Sequence, residues 1–279
     1  MNYAKDDLKS SDLPFLLVNE EQLYRDYPRI GFGDEASVFK YNNTIALKYF
    51  NFFEYKSKLP KKFEKIELLG KLQDSAACFP LGLFGFPNMQ KEGYYCELVN
   101  TLENYKNFNE LQFLKDTRLL LNLIIEADEA IQRFHKMGLV LGDIKEDNIL
   151  IDCNKKVKFV DTDNWMYNDY GFDVIPYRAN FLSSTFNKEF SLTDNDRFVF
   201  AMMAIQYFSD ETIVSLYKSD NYFKKLVEYM DVTQEVKDGL RLIFSDAKEK
   251  PYIGPLLSKI NPEQKILTKD AIYRLNQIV

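Results

Sequence analysis

The spacing of apolar positions divides the chain into a strand-rich first third and a helix-rich remainder. Residues 1 to 28 are polar apart from one apolar patch, Leu13 to Val18, and read as an amino-terminal extension that packs on the domain edge or lies partly disordered. From Arg29 the pattern changes. Ile30-Gly31-Phe32-Gly33 is a glycine-spaced turn, Val38 to Tyr41 a strand, Asn42-Asn43 a turn and Thr44 to Phe50 a second strand. Pro60 to Gln73 places Phe63, Ile66 and Leu69, with Leu68 and Leu72, at helical spacing. Phe79 to Phe86 and Gly93 to Val99 read as two more strands closing a small sheet.

Beyond residue 100 the period becomes helical. Thr117 to Met137 carries Leu119, Leu120, Leu123, Ile124, Ala127, Ile131 and Phe134, and Gly138 is its stop. Two short buried strands follow, Asn148 to Ile151 and Val157 to Val160, joined by a polar turn of Asp152, Cys153, Asn154 and two lysines. Residues 162 to 190 show little periodicity and read as one long functional loop. Ser191 to Phe208 and the amphipathic stretches of 209 to 279 read as helices.

Composition narrows the class. Hydrophobic residues make up 46% of 279, enough for a folded core. The net charge of −6, with both signs interspersed, argues against nucleic acid or an anionic membrane as partner. No run reaches the length of a membrane span, and the amino terminus lacks the apolar core of a signal peptide. The expected compartment is cytoplasmic, with the three cysteines reduced. A single histidine, His135, excludes a zinc cluster of Cys and His and any mechanism that needs two histidines.

The candidate chemistry concentrates in residues 141 to 163. Asp143, Lys145, Asn148 and Asp161 put three oxygen-bearing side chains and one ammonium at strand ends. Magnesium favours oxygen ligands of this hard type, and a phosphoryl group in transfer needs such charges around it. The stretch resembles the catalytic and metal loops of the protein kinase superfamily, in a divergent, bacterial-type, serine/threonine-like form. Leu141-Gly142-Asp143 stands for H-R-D, with Lys145 and Asn148 at the family's spacing, and Asp161-Thr162-Asp163 stands for D-F-G. The resemblance extends upstream to Gly31-x-Gly33 with Val38, similar to the glycine-rich loop, and to Ala46-Leu47-Lys48, similar to the V-A-I-K strand. Downstream, Asp196 to Ala201 resembles D-x-W-x-x-G, whose aspartate braces the catalytic loop backbone.

The resemblance implies an α+β, two-lobed kinase-like fold. Its parts would be an extension at 1–28, a small β-rich lobe at 29–99 and a larger helical lobe at 100–279. It implies ATP and Mg²⁺ as cofactors. Asp143 would accept the proton of an attacking hydroxyl, Lys145 would offset γ-phosphoryl charge, and Lys48 would hold the α- and β-phosphates. Asn148 and Asp161 would bind the metal. A glutamate of the 60–73 helix would pair Lys48. Glu64 and Glu67 compete, and the leucines above Glu64 favour it. The nucleotide would meet Gly31, Gly33, Val38, Ala46 and Leu150, with the backbone of Glu97 and Val99 at the adenine edge. Asp163 stands where the family has glycine. It reads as a further metal ligand, as a carboxylate turned outward into a hydrogen-bonded cap, or as a solvated loop charge, and the direction it shares with Asp161 in an extended segment favours a role at the metal.

Three functions follow. The first is a protein kinase acting on a protein hydroxyl. The second is a small-molecule kinase of the aminoglycoside or choline type, whose loop also has glycine before its aspartate, as Gly142 does here. The third is a catalytically silent binding module. His135 reads as a structural histidine late in its helix.

Overall fold

The computed structural model describes residues 13–33, 35–50, 59–87, 90–103, 106–172, 183, 188–209 and 220–278. The chain forms two compact units: Met1–Asn100 with Lys158–Asp173, and Thr101–Val157 with Val174–Val279. The class is α+β, a six-stranded sheet in the first unit and helices in the second.

In the first unit the strands are β1 (Phe15–Leu17), β2 (Arg29–Phe32), β3 (Ser37–Lys40), β4 (Ile45–Tyr49), β5 (Pro80–Gly85) and β6 (Lys91–Glu97), in the order β1-β5-β6-β4-β3-β2. Among the described strands of this sheet only β1 lies parallel to its neighbour, pairing Phe15 with Leu83 of β5. The apolar patch of the extension is therefore an edge strand. Helix α1 (Glu20–Asp26) follows, capped by Asn19, whose side chain accepts from the N–H groups of Glu21 and Gln22.

Alternation along the strands sends side chains to two cores. Phe39, Leu47, Phe84 and Phe86 form one with Leu23 of α1. Phe50, Leu83 and Tyr94 form the other with Phe63 and Ile66 of α2 (Leu59–Leu69). The β3–β4 turn is closed by Asn42, whose Oδ1 accepts from the backbone of Thr44 at 2.8 Å and of Ile45 at 2.9 Å. Gly93 pairs with Tyr49 of β4, and a Cβ there would lie 2.0 Å from the Lys48 carbonyl oxygen. That close approach requires glycine and seats β6 against the Lys48 backbone.

The second unit is built on α3 (Thr117–Lys136). Asp116 caps it by accepting from the Leu119 N–H at 3.0 Å, and Gly138 ends it at a φ of 81°. Its buried stripe includes Leu123, Ile124, Ala127, Ile131 and Phe134. The short strands β7 (Leu139–Val140) and β8 (Ile149–Ile151) follow, and the chain passes between units within β9 (Val157–Phe159). In the turn before β9, Asp152 Oδ1 accepts from the Asn154 and Lys156 N–H groups, both at 2.8 Å. Helix α4 (Leu192–Tyr207) is capped by Ser191 and buried along most of its length. Helices α5 (Asp220–Tyr229), α6 (Gln234–Ile243), α7 (Gly254–Leu257) and α8 (Lys269–Ile278) complete the unit.

Residues 173–182 and 184–187 of the long loop, with Pro176 and Tyr177, lie outside the described residues, as do residues 1–12 of the extension. Among the described residues the cysteines are free thiols, and no helix is long and apolar enough to cross a membrane.

Candidate functional site

The residues singled out in the sequence gather into two groups, one in each unit. The first is centred on Lys48. Leu47 packs into the core shared with α1, so alternation along β4 turns Ala46 and Lys48 to the opposite side, where α2 packs. Lys48 is 7% exposed. Its Nζ donates to Asp161 Oδ1, and to Asp163 Oδ1 at 2.7 Å.

The segment carrying those carboxylates is not extended, as the shared direction of Asp161 and Asp163 would require. Asp161 adopts φ 64° and ψ 31°, and Thr162–Asn164 form a 3₁₀ turn. The left-handed residue followed by the tight turn brings both carboxylates to one ammonium. Asparagine and aspartate tolerate that backbone better than other side chains. The turn is pinned on each side. Thr162 Oγ1 donates to the Cys78 carbonyl at 3.2 Å, and Trp165 is buried edge-on against Phe79 and Phe159.

Asp163 has no exposed surface. Besides Lys48, Tyr94 Oη donates to its Oδ1 at 2.8 Å, and Lys62 Nζ lies 3.1 Å from its Oδ2. The Lys62–Oδ2 contact is an ion pair without hydrogen-bond alignment, since Oδ2 has no hydrogen-bond donor. Lys62 is itself buried and donates to Glu35 Oε2 at 2.8 Å and to Asn164 Oδ1 at 3.2 Å.

Burial alone would push Lys48 towards the neutral amine, but Asp161 and Asp163 outweigh it and raise its pKa. Burial likewise works against the Asp163 carboxylate, and Lys48 and Lys62 overcome it, holding Asp163 well below the usual carboxylate range. Tyr94 is pushed up, first by burial and then by the Asp163 charge, so its hydroxyl remains a donor.

One assignment changes here. Glu64 does not pair Lys48. It is exposed and accepts from Tyr170 Oη at 3.0 Å, while Glu67 pairs Lys91 at 2.9 Å. The reason is angular. Lys62 lies on the inward face of α2, and two residues further on, about 200° around the helix, Glu64 must face away. Asp163, read from the sequence as a metal ligand, a hydrogen-bonded cap or a solvated charge, faces Lys48, Lys62 and Tyr94, the hydrogen-bonded arrangement of the three. Asp161 differs: it is about a third exposed, and its Oδ2 accepts from Asn164 Nδ2 at 3.2 Å.

Elsewhere in the first unit, Gly31 pairs with Val38 across β2 and β3, and the Gly33 N–H donates to the Ala36 carbonyl at 3.0 Å. Asp34 lies outside the described residues. Ala46 pairs with Cys96, and Glu97 ends β6 opposite Ile45, its carboxylate held by Lys158 at 2.8 Å. Val99 follows, after Leu98, whose N–H donates to the Thr44 carbonyl at 2.8 Å.

The second group lies on the loop between β7 and β8. Lys145 Nζ contacts Asp143 Oδ2 at 2.8 Å, and Asn148 Nδ2 donates to the Asp143 carbonyl at 3.2 Å. The Asn148 N–H donates to the Lys145 carbonyl at 3.0 Å, closing a 3₁₀ turn over Glu146–Asn148 that leads into β8 and the half-buried Leu150. The loop is held from below by Asp196 of α4. This buried carboxylate accepts from the N–H of Leu141 at 2.8 Å and of Gly142 at 2.9 Å. It also meets His135 Nε2 at 3.0 Å, and His135 Nδ1 meets Tyr252 Oη at 2.9 Å. Both nitrogens of His135 are thus occupied, as a structural histidine requires.

The sequence reading missed Lys62 and Tyr94. A signal for Lys62 was present: it stands at i, i+4 and i+7 with Ile66 and Leu69, placing an ammonium on the buried stripe. Tyr94 had none, since an aromatic residue in a strand is ordinary core. Among the described residues no cluster of three His, Cys, Asp or Glu side chains forms a ready metal site. No model of a known protein family matches the chain, and a search of curated proteins finds no match to it.

Proposed function

We propose that the protein is an ATP-dependent phosphotransferase with a kinase-like, two-lobed fold, transferring the γ-phosphoryl group of Mg-ATP to a protein hydroxyl. One observation carries the reading. The Asp196 carboxylate grips two successive backbone N–H groups directly ahead of Asp143 and is itself anchored by His135. An acceptor aspartate that must aim at a hydroxyl needs a rigid backbone of this kind.

In this reading Asp143 orients the hydroxyl and takes its proton, and Lys145 offsets charge on the phosphoryl oxygens. Lys48 holds the nucleotide phosphates. Asp161 in the first unit and Asn148 in the second each carry a hard oxygen donor of the kind that suits magnesium. When bound, the metal neutralises charge on the phosphates. The enclosure of Lys48 between two carboxylates favours a second reading, a module that binds without transferring, because those ion pairs compete with phosphate for the ammonium.

The test is transfer of radiolabelled phosphate from ATP, with a generic protein acceptor, with aminoglycoside or choline, and with neither. Label on protein that falls at least 100-fold in Asp143→Ala, with the ATP-induced thermal shift retained, supports the kinase reading. Label on the small acceptor alone replaces it with the small-molecule reading. A thermal shift without transfer leaves the binding module.

A further inference from the structure

The charges that bind α2 to the phosphate-holding lysine run opposite to what the resemblance led one to expect. The expectation was a glutamate of α2 beside Lys48. The helix instead turns an ammonium inward, Lys62, and the carboxylate between the two lysines comes from Asp163. We propose that Asp163 is the positioning residue for Lys48 and that Lys62 is the α2 counter-charge completing the bridge, a role resting on the phosphotransferase reading for its functional sense.

The arrangement is selective. Asp163 Oδ1 receives both Lys48 Nζ at 2.7 Å and Tyr94 Oη at 2.8 Å, while Oδ2 faces Lys62 at 3.1 Å. Each carboxylate oxygen therefore has its own cation, and a single rotamer serves both. Lys48 and Tyr94 are register partners across β4 and β6, so the sheet fixes two of the three groups that meet Asp163. Lys62 brings α2 into the same bridge. Its ammonium lies 4.8 Å from the centre of the Phe50 ring, and it holds Glu35, in the turn before β3. The glutamates of α2 cannot substitute, since both are engaged on other sides of the helix. A glycine in place of Asp163 would take away the carboxylate that meets both buried ammonium groups, Lys48 and Lys62, which accounts for an aspartate at this position.

The test reads lysine protection in the full-length protein without nucleotide. A short pulse of acetic anhydride, analysed by mass spectrometry, reports how tightly each ammonium is held. In Asp163→Asn, labelling of Lys48 should rise at least tenfold, with Lys62 following and with buried Lys250 of the second unit unchanged as the control for unfolding. In Glu64→Gln, Lys48 labelling should match wild type. Wild-type labelling of Lys48 in Asp163→Asn overturns the proposal, and so does a rise in Glu64→Gln, which needs no change at the buried aspartate. For function, Lys62→Met should raise KM for ATP about tenfold with adenosine binding unchanged, and Lys62→Arg should restore it. Loss of adenosine binding in parallel would mark a merely structural role and overturn the positioning claim. Wild-type protein that takes up no ATP fails the phosphotransferase reading, while the labelling arm still decides whether Asp163 holds Lys48.

Discussion

Residues with unusual backbones carry much of the argument, and Gly142 shows why. The kinase pattern has arginine before its aspartate, and this chain has glycine. Gly142 sits at φ 71° with its N–H on Asp196 at 2.9 Å. A side chain here would force a left-handed L residue, costing on the order of 1 kcal/mol relative to glycine. Gly142→Arg and Gly142→Ala should both lose about that much stability in urea unfolding, and Gly142→Asn less. Equal stability for Gly142→Arg would show that the positive φ is not required. Without an arginine there, a phosphorylated loop has no receptor at this position. On the proposed phosphotransferase reading, activity should therefore survive phosphatase treatment, assayed beside the untreated protein. At this scale Lys48, Asp143, Asn148 and Asp161 were legible in the sequence as a spaced set that resembles the kinase pattern. The sequence hid the fate of Asp163, because burial and pairing across more than a hundred residues leave no local pattern.

At the scale of elements, the regular pieces were the legible ones. The α3 helix runs from Thr117 to Lys136 within a residue of its expected span, because its apolar stripe and its glycine stop agree. Helix α2 was found, but its inward face was misjudged. Leucines above Glu64 suggested a buried stripe there, whereas Lys62, Phe63, Ile66 and Leu69 face the core. A less visible tie joins α3 to α7. Asp128, buried on α3, accepts from the N–H groups of Ile253 at 3.2 Å and Gly254 at 2.9 Å, where α7 begins. Burial raises its pKa to about 6, against the pull of those two N–H groups. The unfolded carboxyl titrates near pH 4. Between about pH 4 and 6 the native state keeps a proton that the unfolded chain has lost, so this group lowers stability as pH rises through that window and levels off above it. Asp163 has the opposite sign. Its depressed pKa gives stability that is complete above about pH 4 and is lost as the pH falls further. Asp128→Asn should remove the fall between pH 4 and 6, on the order of 2–3 kcal/mol, when urea unfolding followed by circular dichroism is compared with wild type. An unchanged pH profile would show that Asp128 is not the group responsible.

At the scale of the whole molecule, the sequence separated strands from helices near residue 100, and the first of the two segments that make up the first unit ends at Asn100. It left residues 158 to 173 with the helical part, yet they belong to the sheet unit. Hydrophobic period identifies elements and not their partners, and here the partners are distant in the chain. The Phe159 N–H donates to the Ala76 carbonyl at 2.6 Å, the Cys78 N–H donates to Phe159 at 2.9 Å, and Trp165 fills the space beside Phe79. The same segment brings Asp161 and Asp163 to Lys48 and Lys62. The first unit is therefore not a contiguous piece of sequence. A fragment of residues 1–100 would keep the buried Lys48 and Lys62 and lose Asp161 and Asp163, two carboxylates that pair with them. Removing one partner of a buried pair costs about 3–5 kcal/mol, a large part of the ~5–15 kcal/mol that holds an ordinary domain. The fragment should show the narrow amide dispersion of an unfolded chain in a proton–nitrogen correlation spectrum. Joining residues 158–173 to it through a flexible Gly/Ser linker should restore dispersion, and the same fusion carrying Asp161→Ala and Asp163→Ala should not. A folded 1–100 fragment would show that the sheet does not depend on this charge pairing.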